Sequence, residues 1–168
     1  MIYDVILVIG ATCILLFGGV VAFGAPFLPV LNSRVDDALD LLNLKKGQRI
    51  LELGSGDGRI MIAAAKRGIY STGYELNPLL VLWSYLLTAR HRKYVTIKWG
   101  NYWKADWPEA DGVFVFLLKP YMEKLDKRMK TEIKESGKSM SLVSFAFTIE
   151  SKKVTKEDNG MFLYKYKS

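Results

Sequence analysis

The chain has 168 residues, half of them apolar, with 24 basic and 17 acidic side chains and a net charge of +7. That length accommodates one α/β domain of about 130 residues and a short extension. A single cysteine, Cys13, excludes an intrachain disulfide and every cysteine-based zinc pattern, and no Arg-rich arm or aromatic–basic interleaving points specifically to nucleic acid.

The charge is unevenly placed. Residues 5 to 33 carry no charged side chain, and every Lys and Arg falls at Arg34 or later. Val5 to Phe23 is 19 residues of Val, Ile, Leu, Ala, Gly, Phe, Thr and Cys. At about 1.5 Å per residue, such a helix crosses most of a hydrocarbon core about 30 Å thick. A cleaved signal peptide needs a basic leading region, and only Asp4 precedes the run. The expectation is one transmembrane helix that stays attached, with Cys13 an inert residue inside it. Positive charge on its C-terminal side puts the remaining chain on the cytoplasmic, or matrix-like, face of a single-pass membrane protein. Pro26 and Pro29 stop the helix, which divides the chain into an anchor with its Pro-rich exit, 1–33, and a folded domain, 34–168.

Ser33-Arg-Val-Asp36 has the spacing of an N-cap box. The helix after it carries Val35, Ala38, Leu39 and Leu42 on one face, and Lys45-Lys46-Gly47 ends it. Ile50 to Leu53 then reads as a buried strand, broken by Gly54, Gly56 and Gly58, with an Ala-rich helix from Ile60 to Lys66. Strand, glycine turn and helix bring backbone N–H groups close to a ligand. Alone, three glycines can also be a plain tight turn. The spacing is Gly-x-Gly-x-Gly rather than Gly-x-Gly-x-x-Gly, and with Glu52 just before it the turn suits a nucleoside ligand without a pyrophosphate.

Tyr70 to Glu75 is a second strand, and Pro78 opens a long apolar helix to about Arg90. Tyr94 to Trp99 and the continuous apolar run Gly112 to Leu118 are further strands. Tyr121 to Glu135 is a charged helix with Glu123/Lys127 and Asp126/Lys130 at i,i+4 spacing. Met140 to Thr148 is a fifth strand. Lys153-Val154 and Met161 to Tyr166 flank the turn Glu157-Asp-Asn-Gly160 as a hairpin. The pattern predicts an α/β, Rossmann-like fold, a mostly parallel sheet with a C-terminal antiparallel hairpin, preceded by the transmembrane helix.

In such a sheet the ligand lies at the C-terminal strand ends. The glycine turn falls there, with Glu75, 21 residues after Gly54, placed to accept both hydroxyls of a ribose, and Asn101, whose amide suits an adenine edge. Leu-Glu-Leu-Gly-Ser-Gly-Asp-Gly-Arg and Gly73-Tyr-Glu-Leu-Asn-Pro78 resemble the class I, seven-strand S-adenosylmethionine-dependent methyltransferases. More narrowly the chain resembles the membrane-anchored lysine N-methyltransferases that modify the c-ring protein of ATP synthase or the adenine nucleotide carrier. That similarity extends over the apolar N-terminal helix, the Pro-Phe-x-Pro segment and Trp103-Lys104. It implies S-adenosylmethionine as cofactor, held by Glu52, Gly54, Ser55, Gly56, Asp57 and Gly58 at the turn, by Glu75, Leu76 and Asn77 after the second strand, and by Asn101 and Tyr102 after the third. Many relatives have Asp where this chain has Asn101, so the acceptor is kept and the charge is lost. The methyl acceptor expected is a lysine of a membrane protein, with a lipid or small apolar molecule, or a non-catalytic binding module, as alternatives.

No catalytic residue is assigned. Asp57 reads equally as a helix cap, Glu52 as an ordering group for the loop, and His91 as a surface or structural residue. Leu117-Leu-Lys-Pro120 at the fourth strand's exit lacks the Asn/Asp-Pro-Pro-Tyr motif of many amide or base methylators. Trp99, Tyr102, Trp103 and Trp107 read as site, lipid-contacting or packing residues.

Overall fold

The computed structural model describes residues 2–23 and 30–168. Pro26 and Pro29, expected to stop the first helix, lie outside the described residues. Seven strands, β1 (Arg49–Leu53), β2 (Tyr70–Glu75), β3 (Val95–Trp99), β4 (Gly112–Val115), β5 (Met140–Phe145), β6 (Lys156–Asp158) and β7 (Met161–Tyr166), form one sheet in the order β3-β2-β1-β4-β5-β7-β6. The first five are parallel, and β7 runs antiparallel to β5 and β6. This is the mostly parallel sheet with an antiparallel C-terminal edge that the alternating elements predict.

Strand alternation sends successive side chains to opposite faces. On one face Leu51, Leu53, Val113, Val115 and Leu142 meet Met122, Leu125, Met129 and Ile133 of α5 (Met122–Ser136). On the other, Ile50, Phe114 and Val143 meet α2 (Asn32–Leu42) and α3 (Arg59–Lys66) through Val35, Ala38, Leu39, Ile60 and Ala64. Val30 is buried in this second core, so the packed body already includes it. The remaining helices are α1 (Ile2–Phe23) and α4 (Pro78–Leu87).

Several boundaries differ from the sequence reading. Leu31, not Ser33, is the N-cap of α2, and no side chain caps it. Ser33 lies one residue inside the helix, so its box cannot form. The same helix ends at Asn43, in left-handed backbone with φ 51°, before the lysines reach it. The hairpin turn is at Asn159-Gly160, but its first strand is β6 rather than Lys153-Val154. Glu123 does not serve α5 locally: its carboxylate accepts the N–H and hydroxyl of Ser151 at 3.1 and 2.6 Å. The pair at Asp126 and Lys130 forms at 2.5 Å.

α1 has 22 residues, and those of its apolar side chains that are described, Ile2 to Ile9 and Ile14 among them, are exposed. Its side chains are described only at 2–12 and 14. Among the described residues no helix is long and apolar enough to cross a membrane, so the crossing expected over Val5 to Phe23 finds no support there.

Candidate functional site

β1 has β2 on one side and β4 on the other, so the order of the sheet switches direction at β1. Ligands of open α/β sheets bind outside the strands' carboxyl ends at such a switch. The expected site residues follow β1, β2 and β3 at that end.

β1 runs into the turn Gly54–Gly58, where Gly54, Gly56 and Gly58 have φ of 86°, 54° and 80°. Left-handed backbone at three alternate positions explains the glycines, since a Cβ disfavours it. The N–H groups of Gly54 and Ser55 both donate to the Tyr74 carbonyl at 2.9 Å, tying the turn to β2. A Cβ on Gly73 of β2 would lie 2.6 Å from both Met61 Sδ and Ser55 Cβ, so glycine there permits the close approach. The other side of the turn is open: a Cβ on Gly54 would meet nothing within 4 Å.

Glu75 closes β2 and is buried. Its Oε2 accepts the Gly56 N–H at 2.9 Å and its Oε1 accepts the Asn77 N–H at 2.8 Å. Each carboxylate oxygen keeps a second lone pair, so Glu75 can accept ligand hydroxyls while clamping the turn. Only that first role is visible in the sequence. Asn77 is committed to α4, its Oδ1 accepting the N–H groups of Leu79 and Leu80 at 2.9 and 3.4 Å. Leu76 is half-buried, and its carbonyl accepts the Trp99 indole N–H at 3.1 Å.

Glu52 stands in the middle of β1 on the face shared with Ile50, 4% exposed. Its Oε2 and the hydroxyl of Ser55 are buried without hydrogen-bond partners. Burial first, then Asp57 and Glu75, push the Glu52 carboxyl well above its ordinary range, and Arg59 opposes them. Asp57 forms an ion pair with Arg59 at 2.6 Å, and Arg59 also donates to the Val30 carbonyl at 2.6 Å. The N-cap of α3 is Gly58, with no side-chain cap, but Asp57 Oδ1 accepts the N–H of Arg59, the first residue of α3, at 3.3 Å. Asp57 thus braces the helix start and, through Arg59, ties the turn to the entry of α2.

After β3, Asn101 Oδ1 accepts the Trp103 N–H at 2.9 Å. That bond orients the amide and leaves its NH2 group to offer to a base edge. Tyr102 is half-buried, and burial, with Glu75 and Tyr121 nearby, pushes its hydroxyl up to about 12, so it stays protonated at neutral pH. α5 braces this segment. Arg128 donates to the Ala105 carbonyl at 2.9 Å, and Lys124 lies 4.3 Å from the Trp103 ring. Trp103 and Trp107 pack on the core with Tyr102, whereas Trp99 is 69% exposed. His91 sits in the 3-10 turn beyond the far end of α4.

Ser55, expected at the site from the resemblance, carries a hydroxyl buried without a partner. One feature had no sequence signal. Ala146, at the exit of β5, has φ 68°, with the Phe147 N–H donating back to the Phe145 carbonyl at 2.9 Å, a γ-turn that costs strain in a residue other than glycine.

Three acids, Glu52, Asp57 and Glu75, crowd the turn, which disfavours a phosphate and suits a cationic, hydroxyl-bearing nucleoside. The open space beside Gly54 gives such a ligand room, and Glu52 Oε2 is buried without a partner. Among the described residues no cluster of His, Cys, Asp or Glu could hold a metal ion.

Comparison with known proteins agrees. The model of the ANTKMT methyltransferase domain matches residues 52–156. The human lysine N-methyltransferase named for the c-ring protein of ATP synthase is 32% identical over 115 residues, 67% of this chain and 49% of that protein. The mouse adenine nucleotide translocase lysine N-methyltransferase is 31% identical over 126 residues, 69% of this chain and 52% of that protein. The chain thus spans about half the length of these relatives. Among solved structures, an RNA methyltransferase from Salinibacter ruber in complex with S-adenosyl-L-homocysteine superposes with a TM-score of 0.71 at 27% identity, covering 83% of this chain and 92% of that one.

Proposed function

The chain belongs to the ANTKMT methyltransferase domain family, and from that premise we propose that it transfers the methyl group of S-adenosylmethionine to a lysine of a membrane protein. The observation that carries the cofactor assignment is the glycine turn clamped by Glu75 beside the unpartnered Glu52 Oε2. Gly54 offers open backbone to the methionine part, Glu52 an acceptor for its ammonium, and Ser55 a hydroxyl, while Gly56 ties the turn to Glu75. Glu75 accepts from the ribose hydroxyls, while Asn101 and Tyr102 meet the adenine.

When bound, S-adenosylmethionine supplies a methyl already activated on a sulfonium, so the residues around it act by alignment. The turn and Glu75 fix the donor's depth, and the segment after β3, braced by α5, fixes its rotation. The lysine must arrive neutral, and no side chain of the site is assigned as its base.

The acceptor class rests on the relatives, named for the c-ring protein of ATP synthase and for adenine nucleotide translocase. The uncharged stretch 5–33 supports an N-terminal anchor, with the domain on the cytoplasmic or matrix-like face. The test incubates native membranes with methyl-labelled S-adenosylmethionine and either the full chain or its Glu75→Ala variant. Label on lysine of a membrane protein, absent with the variant, is the expected result. Label confined to the lipid extract or to RNA contradicts the lysine reading, and donor binding without any transfer would make the chain a binding module.

A further inference from the structure

α4 is assembled inside out. Ser84 and Thr88 are fully buried, their hydroxyls bonded within the helix to the carbonyls of Val81 and Ser84, and they pack toward Gly58 of the turn. Leu79, Leu82, Trp83 and Leu86, at i, i+3, i+4 and i+7, form the solvent stripe, with Leu82 61% and Leu86 62% exposed. Tyr85 and Leu87 widen it. Trp99 lies on the sheet face that Val95 and Ile97 share, with its indole bonded to Leu76 just before the helix cap, and extends the patch past the helix N-terminus.

An exposed apolar surface of this kind marks an interaction site, and its rim says with what. From Leu76 to Ala105 the chain carries five basic residues, Arg90, Arg92, Lys93, Lys98 and Lys104, and no acidic one. Arg90 and Arg92 follow the helix, and Arg92 stacks 3.6 Å from the Tyr85 ring. A Leu/Trp/Tyr face bordered by Arg and Lys has the composition of a helix lying in the plane of an anionic bilayer, with tryptophans at headgroup depth. An apolar protein partner would not require the basic cluster Arg90, Arg92 and Lys93 at the end of the helix.

We propose that the α4 face, with Trp83 and Trp99, is seated in the surface of an anionic lipid bilayer. This is independent of the methyl-transfer reading and of whether α1 crosses a membrane. Because Asn77, the cap of α4, directly follows Leu76 and Glu75, seating the helix brings the mouth of the glycine-turn site to the bilayer surface. A lysine presented there is reached without lifting it far from the lipid.

The test reconstitutes the full chain in phosphatidylcholine vesicles with and without phosphatidylglycerol, using lipids brominated near the headgroup. The readout is the position of the tryptophans, not vesicle binding, so attachment through α1 cannot mimic the result. With two of four tryptophans in the interface, about half of the emission is expected to be quenched in anionic vesicles. The quenchable part should vanish in Trp83→Phe/Trp99→Phe and in Leu82→Glu/Leu86→Glu, whose sites are exposed and whose folding circular dichroism checks. Trp83 and Trp99 left unquenched in anionic vesicles would overturn the proposal. So would equal quenching without phosphatidylglycerol, or burial of the face only on self-association at rising protein concentration.

Discussion

The two halves of the sheet are finished to different degrees. Where α5 covers β4, β5 and β7, a strongly charged helix turns Met122, Leu125, Met129 and Ile133 inward. Its one buried charge, Asp126, accepts the Tyr166 hydroxyl at 2.8 Å and pairs with Lys130. Where α3 and α4 cover β1, β2 and β3, an apolar helix turns its leucines outward, and Glu52 and Ser55 keep buried atoms without partners. Buried polar atoms normally find hydrogen bonds, and apolar helix faces normally find cover. The half that satisfies neither rule is the half whose glycine turn, Glu75 and Asn101 form the candidate site. Unmet interactions collect where a ligand or a surface completes them.

Mutations should divide along the same line. The largest effect is expected in the closed half: Leu125→Ala, at a fully buried position, should cost about 2–5 kcal/mol in chemical denaturation. Tyr166→Phe should cost about 1–3 kcal/mol by leaving the buried Oδ1 of Asp126 without its donor while Lys130 keeps Oδ2, again read from the denaturation midpoint. In the open half the prediction reverses. Because Glu52 has a raised carboxyl pKa in the fold, the unfolded chain releases that proton first as pH rises past the ordinary value of 4.5. Folding stability without ligand should therefore fall between there and the raised folded value. Glu52→Gln should remove this slope in thermal unfolding followed against pH. The smallest effect is reserved for α4: Leu82→Lys should shift stability by less than about 0.5 kcal/mol. A loss on the scale of Leu125→Ala would show that the α4 face is covered and would break the comparison.

β1 and β4 were legible as apolar runs, and the glycine turn because only glycine readily tolerates left-handed φ at such positions. The first strand of the hairpin was misplaced because β6, Lys156-Glu-Asp158, is a fully exposed edge whose charged side chains read as loop. Glu123 had a partner four residues away in sequence, yet Ser151, 28 residues on, takes its carboxylate. Local spacing cannot see such a contact. The site residues were placed by their offsets from strand ends, but their division of labour came from packing. Asn77 caps a helix, Glu75 clamps the turn through Gly56 and Asn77, and Asp57 holds Arg59. Most instructive is α4, legible as a helix but not in its orientation. Its apolar composition reads as core, and only the burial of Ser84 and Thr88 shows which side faces in.

The cofactor site is tested most directly by calorimetry of S-adenosylhomocysteine with the full chain and with Gly54→Ala. Alanine there must adopt φ near 86°, which costs about 1–2 kcal/mol of stability, and its methyl enters the open space beside the turn. The expected result is a wild-type chain that binds, and a folded Gly54→Ala variant weakened more than about tenfold, or 1.4 kcal/mol. Equal binding by both proteins, or none by the wild type, would contradict the account.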